Sequence, residues 1–299
     1  MLSLDPLTPG QLAGLIELAG RLKRAGAQSP QLLAGRTLAM IFQKASTRTR
    51  VSFEVAMLEQ GGRAICLNAG DLQLGRGETI ADTGRVLARY VDAVMVRTYA
   101  QGDLEELAAA ADIPVINGLT DAYHPCQALA DLLTITERRG TVQGSRIAYI
   151  GDGNNVAHSL MMGGARLGAT VVVATPPQYA PAADVVARAR KGAANGGMIE
   201  LTADPAAAAQ GADVLYTDTW VSMGQEREAE VRAHAFAGYQ LDEALVARAK
   251  PDVMVMHDLP AYRGKEIAAA VMDGPQAVIW EQAENRLHAQ KALLCALLA

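Results

Sequence analysis

The segment Ser46-Thr47-Arg48-Thr49-Arg50 places three hydroxyls and two guanidinium groups in five positions. It follows the apolar run TLAMIF and precedes the helical pattern VSFEVAMLEQ. The first turn of a helix leaves backbone N–H groups unpaired and carries the positive end of the helix dipole, so it attracts anions. Arginine also matches phosphate oxygens bidentately. The segment therefore predicts a phosphate site, with an ordinary Ser/Thr cap followed by solvated arginines as the alternative.

Polar residues follow the other apolar runs along the chain as well. In an open parallel sheet, ligands collect outside the carboxyl ends of the strands. In chain order these positions hold Arg97, Asn117, His124-Pro125-Cys126-Gln127, GDGNN at 151–155, Asp218 with Ser222-Met223-Gly224, His257-Asp258-Leu259-Pro260, and Arg286. The residues up to Gln127 share the first half of the chain with the phosphate segment. The later ones predict a second ligand in the second half.

The GDGNN segment invites a dinucleotide-binding interpretation, which the neighbouring residues argue against. Its third glycine position is Val156, and the next strand ends at Thr175 without an acid for a ribose. The histidines show no zinc spacing. We therefore expect neither a nicotinamide cofactor nor a metal site.

Two series of apolar runs alternate with helical segments. The first comprises TLAMIF, RAICLN, DAVMVR and PVING, and the second comprises RIAYIGD, TVVVAT, MIELT, DVLYTD and VMVMHD. This alternation predicts an α/β fold of two domains, each with a parallel sheet flanked by helices. We place the domains at 1–138 and 139–279, with the amphipathic helix 280–299 packing back on the first domain.

Bulk properties exclude several partner classes. With 27 basic against 32 acidic residues the net charge is −5, and no basic stripe with interleaved aromatics occurs, so we expect no nucleic-acid partner. The three cysteines, Cys66, Cys126 and Cys295, are odd in number and far apart, which is typical of a cytoplasmic chain. No run approaches the ~20 apolar residues of a membrane span, so we expect no membrane partner.

Six segments together resemble one family. FQKASTRTRVSFE, HPCQALADLLT, GDGNN, DTWVSMG, HDLPAYRG and AENRLHAQKALL, in this order, are similar to ornithine carbamoyltransferases over nearly the whole chain. STRTR and HPxQ are also similar to the aspartate enzymes and so indicate carbamoyl phosphate, whereas DxxxSMG is similar to the ornithine-binding loop. The resemblance implies transfer of the carbamoyl group to the δ-amine of L-ornithine, giving L-citrulline and phosphate. The implied setting is arginine metabolism and amino-acid biosynthesis, and no cofactor is implied.

The resemblance also implies the ligands of carbamoyl phosphate. These are Ser46, Thr47, Arg48, Thr49, Gln73, Arg97, His124, Gln127, Leu259 and Arg286. Arg97 and His124 would be catalytic by facing the carbonyl oxygen, while Gln127 would hold the carbamoyl amide. Leu259 would contribute a backbone contact. Gln73 is similar to a glutamine supplied by a neighbouring subunit, which implies a homotrimer.

For L-ornithine, the resemblance implies Asn155 at the α-carboxylate, and Asp218 with Ser222 at the α-ammonium. Met223 would add a backbone contact. The segment 219–232 resembles a mobile loop, although a static, solvated helix start is the alternative.

One position departs from the family pattern. Residues 257–260 read His-Asp-Leu-Pro, where the family has His-Cys-Leu-Pro. The resemblance implies that the family's cysteine lies next to the reacting δ-amine, so Asp258 at this position is assigned as a catalytic residue. Its carboxylate can accept a proton from the amine, or it can stabilise the ammonium form that cannot attack.

Two other functions stay open from the sequence. A transcarbamylase for another amine, such as putrescine or an acylated ornithine, would differ mainly in the loops that meet the amino acid. A catalytically weak relative that senses or sequesters carbamoyl phosphate or ornithine is the second alternative, supported by Asp258 alone.

Overall fold

A computed structural model describes residues 1–68, 70 and 77–299 of the 299-residue chain. It divides into two compact units. Unit 1 contains Met1–Pro6, Gly10–Leu133 and Asn285–Ala299, and unit 2 contains Leu7–Pro9 and Thr134–Glu284. The domain boundary placed after residue 138 stays a prediction.

Unit 1 is built on a parallel four-stranded sheet in the order β2-β1-β3-β4. The strands are β1 Thr37–Phe42, β2 Arg63–Asn68, β3 Ala93–Arg97 and β4 Val115–Leu119. The helices that begin in this part of the chain are α1 Pro9–Ala25, α2 Thr47–Glu59, α3 Ile80–Leu87, α4 Gln101–Ala110 and α5 Pro125–Arg139, with a 3₁₀ turn at Gly26–Gln28.

Unit 2 has a parallel five-stranded sheet in the order β7-β6-β5-β8-β9. The strands are β5 Arg146–Ile150, β6 Thr170–Ala174, β7 Met198–Thr202, β8 Val214–Thr217 and β9 Met254–His257. The later helices are α6 Asn155–Arg166, α7 Ala183–Lys191, α8 Pro205–Ala209, α9 Ala229–Ala235, α10 Glu243–Val246, α11 Ala269–Met272 and α12 Ile279–Leu298, with 3₁₀ turns at Pro177–Tyr179 and Glu226–Glu228.

The burial of the strands explains their composition. Every residue of β3 is buried because this strand lies inside the sheet with both faces covered, whereas the edge strand β2 alternates between exposed and half-buried positions. The apolar core of unit 1 includes Ile41, Val94 and Leu104. In unit 2, Leu215, Val255 and Phe236 belong to the corresponding core. The predicted α/β fold with two parallel sheets flanked by helices is confirmed.

The strand orders create one switch point in each unit. In unit 1 the chain moves from β1 to β2 on one side and later to β3 on the other, and in unit 2 the same reversal separates β5 from β8. The loops after such neighbouring strands leave in opposite directions and open a crevice. Both switch points carry predicted site residues. Among the described residues, no helix is long and apolar enough to cross a membrane.

Candidate active site

The loop after β1 starts α2 with a capped first turn. Ser46 is the N-cap, and its Oγ accepts a hydrogen bond from the Thr49 backbone N–H at 3.2 Å. Thr49 is buried, whereas Arg50 is half exposed and contacts Glu54 at 3.3 Å one turn along the helix. Only the first of the two arginines therefore remains a candidate phosphate ligand, since Arg50 is engaged on the helix surface.

Arg286 on α12 connects two other predicted ligands of unit 1, Gln127 and Thr49. Its Nη1 donates to Gln127 Oε1 at 2.8 Å, and its Nη2 donates to Thr49 Oγ1 at 3.1 Å. Gln290 Oε1 accepts from Nε of the same guanidinium at 3.1 Å, and Gln290 Nε2 donates to Ser52 Oγ at 2.6 Å. A buried arginine needs several acceptors, and here they fix its plane.

His124 lies at the centre of this charge. Its imidazole is buried, and burial followed by the positive charges of Arg286, Arg97 and Arg48 holds its pKa well below the ordinary value. The ring is therefore neutral near pH 7. A neutral imidazole can still donate one hydrogen bond to a carbonyl oxygen without adding to the positive charge of the pocket.

Arg97 ends β3 directly beside the end of β1. Its Cα pairs in register with Phe42, and its backbone oxygen accepts from Gln43 N at 2.9 Å. The next residue, Lys44, is buried, forms an ion pair with Asp121, and lies 4.2 Å from the Tyr99 ring centroid. Lys44 thus connects the loop before α2 to the loop that carries His124.

Two polar residues near His124 have structural partners. Asn117 donates through Nδ2 to the Leu2 backbone oxygen at 2.8 Å. Cys126 donates to the Asn117 backbone oxygen at 3.4 Å, and burial raises the pKa of its thiol to about 11. We therefore exclude Cys126 as a nucleophile, because the thiolate is the reactive form.

In unit 2 the switch point is organised by Asn154. This residue caps α6, with Oδ1 accepting from Val156 N at 3.0 Å, while its Nδ2 donates to Asp218 Oδ2 at 2.6 Å. The other carboxylate oxygen of Asp218 accepts from Thr219 N at 2.6 Å. Asp218 is buried, so these bonds orient its carboxylate at the end of β8. The GDGNN pattern contains Asn154, but the sequence does not distinguish it from its neighbours as a site residue.

The remaining predicted ornithine ligands lie next to these groups in sequence. Asn155 is the first residue of α6 and follows the Asn154 cap. Ser222 donates its backbone N–H to Gln225 Oε1 at 3.2 Å, and the Met223 side chain is 45% exposed. The Ser222-Met223 turn is therefore closed by its own neighbours, with a side chain open to solvent.

The His257-Asp258-Leu259 turn after β9 is held by a buried acid. His257 Nδ1 accepts from Leu259 N at 2.9 Å, which places the ring proton on Nε2, 3.2 Å from Glu266 Oε1. Leu259 has φ of 62°, a left-handed conformation that costs about 1–2 kcal/mol outside glycine. Since Glu266 also accepts from Tyr262 N, it stabilises both ends of this strained turn.

Three potential ligand atoms converge at the ends of β8 and β9. Asp218, His257 and Asp258 each bring one such atom to within 4.8 Å of the other two. The lone pair of His257 Nδ1 already accepts the Leu259 N–H. The two carboxylates fit a cationic ammonium group better than a metal ion, because an ammonium needs acceptors but no imidazole lone pair.

The structure brings the predicted residues into two sets. Unit 1 groups Arg48, Thr49, Arg97, His124, Gln127 and Arg286, and unit 2 groups Asp218 with Asp258. Ser46 and Thr47 adjoin the first set at the start of α2, and Leu259 adjoins the second. Gln73 lies outside the described residues.

Comparison with known proteins identifies the family. The model of the aspartate/ornithine carbamoyltransferase carbamoyl-P binding domain matches residues 1–137, and that of the Asp/Orn binding domain matches residues 143–297. This chain belongs to the aspartate/ornithine carbamoyltransferase family.

Relatives match over almost their full lengths. Ornithine carbamoyltransferase of Pyrococcus abyssi is 57% identical, with 100% of this chain and 95% of the relative covered. A solved ornithine carbamoyltransferase from Pyrococcus furiosus superposes with a TM-score of 0.96 at 56% identity, covering 100% of this chain and 96% of that one. The anabolic enzyme from Campylobacter jejuni gives a TM-score of 0.94 at 42% identity, with 99% and 98% covered.

The lowered pKa of His124 predicts a pH-dependent stability in this carbamoyltransferase. In the unfolded chain this histidine protonates below about pH 6.5, while the folded protein keeps it neutral. Stability is therefore lost as pH falls below that value, by up to about 1.4 kcal/mol per pH unit. His124→Gln cannot bind the proton. In urea denaturation between about pH 7.5 and 5.5, we expect wild type to lose stability relative to the variant; a constant difference would contradict the neutral assignment.

Proposed function

We propose that this chain transfers the carbamoyl group of carbamoyl phosphate to the δ-amine of L-ornithine, giving L-citrulline and phosphate. The observation that carries the choice of amine is the proximity of Asp218 and Asp258, whose ligand atoms lie within 4.8 Å of each other. Two neighbouring carboxylates attract a substrate with two amino groups. They would repel the side-chain carboxylate of aspartate, the other substrate class of the family.

Carbamoyl phosphate is assigned to the unit 1 set. Ser46, Thr47, Arg48 and Thr49 offer hydroxyls, a guanidinium and the N-terminus of α2 to the phosphate. Arg286 orients Thr49 and Gln127 and offers positive charge to the same ligand. As the bond to the carbonyl carbon breaks, the leaving phosphate gains charge, and preorganised donors stabilise it most at that stage.

Arg97 and the neutral His124 are assigned to the carbonyl oxygen. When the amine attacks, that oxygen becomes an oxyanion, and a positioned donor to an oxyanion is worth roughly 3 to 4 kcal/mol. Because His124 stays neutral, it stabilises the oxyanion by donating a hydrogen bond and does not protonate it. Gln127, held by Arg286 and by Asp131 at 2.9 Å, is assigned to the carbamoyl amide.

The unit 2 set is assigned to L-ornithine. The carboxylate of Asp218, oriented by Asn154, receives the α-ammonium together with Ser222, while Met223 contributes backbone contact. Asn155 is assigned to the α-carboxylate at the N-terminus of α6, where the helix dipole favours a negative charge. The Leu259 backbone is assigned to carbamoyl phosphate. We keep 1–138 and 139–279 as the two substrate domains, with helix 280–299 completing the first.

Asp258 is assigned to the δ-amine. A free amine is needed for attack, and a nearby carboxylate both favours the ammonium form and can accept the proton that leaves. His257 and Glu266 fix the turn that carries Asp258. The electrostatic effect on the amine therefore sets the pH at which the enzyme becomes active.

A homotrimer in the cytoplasm is the proposed assembly and location, with Gln73 supplied to a neighbouring subunit. In unit 1, Leu58 on α2 and Tyr90 after α3 are 72% and 75% exposed, and Ile65 on the edge strand β2 is 47% exposed. Exposed apolar side chains of this size support an association surface on unit 1. The anabolic relatives support a role in amino-acid biosynthesis.

The assignment of ornithine is tested with a panel of amines. With carbamoyl phosphate as co-substrate, we expect citrulline to form faster than products from putrescine, Nα-acetylornithine or L-aspartate. Asp218→Asn should raise KM for ornithine by about 10- to 100-fold, the value of a charged hydrogen bond, while KM for carbamoyl phosphate changes little. Asp184→Asn, at an exposed position of α7, is the matched control. Preference for putrescine, or binding of both substrates without phosphate release, would contradict the assignment.

The charge of Asp258 is tested through the pH profile of kcat, which reports ionisations in the enzyme–substrate complex. Removing a carboxylate beside the δ-amine lowers the amine's pKa, so we expect the acid limb to move to lower pH by about one unit in Asp258→Cys. Asp258→Asn has the same shape as aspartate without the charge and should move the limb in the same direction. Unchanged profiles in both variants would show that this side chain takes no part in the reaction.

The trimer is tested by sedimentation equilibrium. We expect a mass of three chains for wild type and smaller species for Leu58→Lys, because a charge would be buried in the proposed interface. Met198→Lys is the control, since Met198 is 54% exposed on β7 of unit 2. A monomeric wild type would overturn the proposed assembly.

A further inference from the structure

A single arginine secures the segment that carries Ser222, Met223 and Gly224. We call residues 219–232 the SMG segment; it runs from Thr219 after β8 to Arg232 in α9. The alternatives for this stretch were a mobile loop and a solvated helix start. A solvated helix start would leave its charged side chains exposed, and Arg232 departs from this expectation. Arg232 is 5% exposed, whereas its neighbour Val231 is 66% exposed.

The contacts of Arg232 reach both ends of the SMG segment. Its Nη1 donates to the Trp220 backbone oxygen at 3.0 Å and to Asp152 Oδ2 at 2.9 Å. Its Nε donates to Glu228 Oε2 at 3.0 Å, and the guanidinium carbon lies 4.7 Å from the Tyr179 ring centroid. Burying a guanidinium is costly unless it is fully engaged, and these contacts fix its position closely.

Asp152 joins this arginine to the ornithine ligands. It belongs to the GDGNN turn, two residues before Asn154, whose side chain holds Asp218 at 2.6 Å. The turn itself is tightly packed, because a Cβ at Gly153 would lie 2.4 Å from Pro181 N and 2.5 Å from Tyr179 O. A rigid turn therefore connects Arg232 to the Asn154 and Asp218 pair.

Aromatic packing keeps the start of the SMG segment against the same support. The Trp220 ring stacks on Phe236 with centroids 5.6 Å apart and planes inclined by 12°, and Phe236 also contacts Tyr179 at 4.9 Å. Phe236 and Tyr179 thus lie under Trp220 and Arg232 respectively. The Ser222-Met223 turn lies between two residues that are held by these contacts, Trp220 and Arg232.

We propose that Arg232 is a positioning residue for ornithine, which holds the SMG segment to the Asp152 carboxylate so that Ser222 and Met223 face the amino acid beside Asp218. The proposal rests on the proposed function. Arg232 touches no reacting atom; its effect is to pre-order the segment, which reduces the entropy lost when the amino acid binds. We expect the effect on ornithine alone, because the SMG segment carries no proposed ligand of carbamoyl phosphate.

The ion pair also makes the segment sensitive to pH. Burial raises the pKa of Asp152 to about 6; Arg232 opposes this rise, and the charges of Asp218 and Glu228 add to it. Tyr149 also interacts with Asp152. Above about pH 6 the carboxylate is charged and the pair is complete, and below it the contact loses its charge. The folded chain binds the Asp152 proton more tightly than the unfolded chain does. Asp152 therefore does not reduce the free energy of unfolding as pH falls from about 6 towards the pKa of the unfolded chain.

Steady-state kinetics of Arg232→Gln and Arg232→Lys test the positioning role. We expect Arg232→Gln to raise KM for ornithine about tenfold, with KM for carbamoyl phosphate within about twofold of wild type and kcat less affected than KM. Lysine keeps the charge but cannot reach several acceptors with one planar fork, so Arg232→Lys should lie in between. Arg188→Gln, at a surface position of α7 that pairs with Asp184, is the matched control.

Asp152→Asn separates positioning from simple stabilisation. The variant mimics the protonated acid, so the ratio of its ornithine KM to that of wild type should be about tenfold at pH 8 and approach one below about pH 6. The ionisation of ornithine cancels in this ratio. If Arg232 only stabilised the fold, Arg232→Gln would lower the unfolding temperature and leave both KM values unchanged. The ratio of the ornithine KM of Asp152→Asn to that of wild type would then be the same at pH 8 and below about pH 6. These results would overturn the proposal.

Trp220 fluorescence distinguishes this proposal from the proposed function. The chain has two tryptophans, so Trp280→Phe leaves Trp220 as the sole reporter. We expect its emission to titrate with a midpoint near pH 6, and this transition to disappear in Asp152→Asn. A transition without citrulline formation would retain the ion-pair control of the segment while refuting the proposed function. Citrulline formation without the transition would refute the control alone.

Discussion

Buried charge that must be fully hydrogen-bonded is the constraint on which both halves of this protein depend. In unit 1 the guanidinium of Arg286 engages Thr49, Gln127 and Gln290, and in unit 2 the carboxylate of Asp218 engages Asn154 and Thr219. Removing one hydrogen-bond partner of such a buried charge costs several kcal/mol of stability. The surrounding side chains therefore have little conformational freedom. The same bonds that satisfy the buried charge therefore orient the proposed substrate ligands.

The topology of the two sheets makes these arrangements possible. At each switch point, two strands end side by side while their following segments leave in opposite directions, as after β1 and β3 and after β5 and β8. Helix N-termini then meet the strand ends, with Ser46 capping α2 and Asn154 capping α6. Backbone geometry alone thus supplies donors for the phosphate proposed in one unit and the carboxylate proposed in the other. The side chains add the charge that selects each ligand.

The ionisation states of the proposed site follow from its surroundings. His124 stays neutral because it is buried among arginines, and Asp152 titrates near pH 6 because burial outweighs the attraction of Arg232. These shifts have opposite consequences. His124 stays neutral across the physiological pH range, whereas the ion pair of Asp152 with Arg232 weakens in acid. The proposed donation by His124 and the proposed positioning by Arg232 therefore respond differently to pH within one molecule.

The sequence alone determined the strands, the main helices and most of the candidate ligands, because parallel strands are continuous apolar runs and ligands follow their carboxyl ends. Relations between residues far apart in sequence needed the tertiary structure. Only the folded chain shows that Asn117 binds the Leu2 backbone and that Arg232 is buried against Asp152. A charged residue in a helical pattern reads as solvated, since its pattern carries no information about a partner 80 positions away in sequence. Contacts, burial and ionisation are properties of the packed structure.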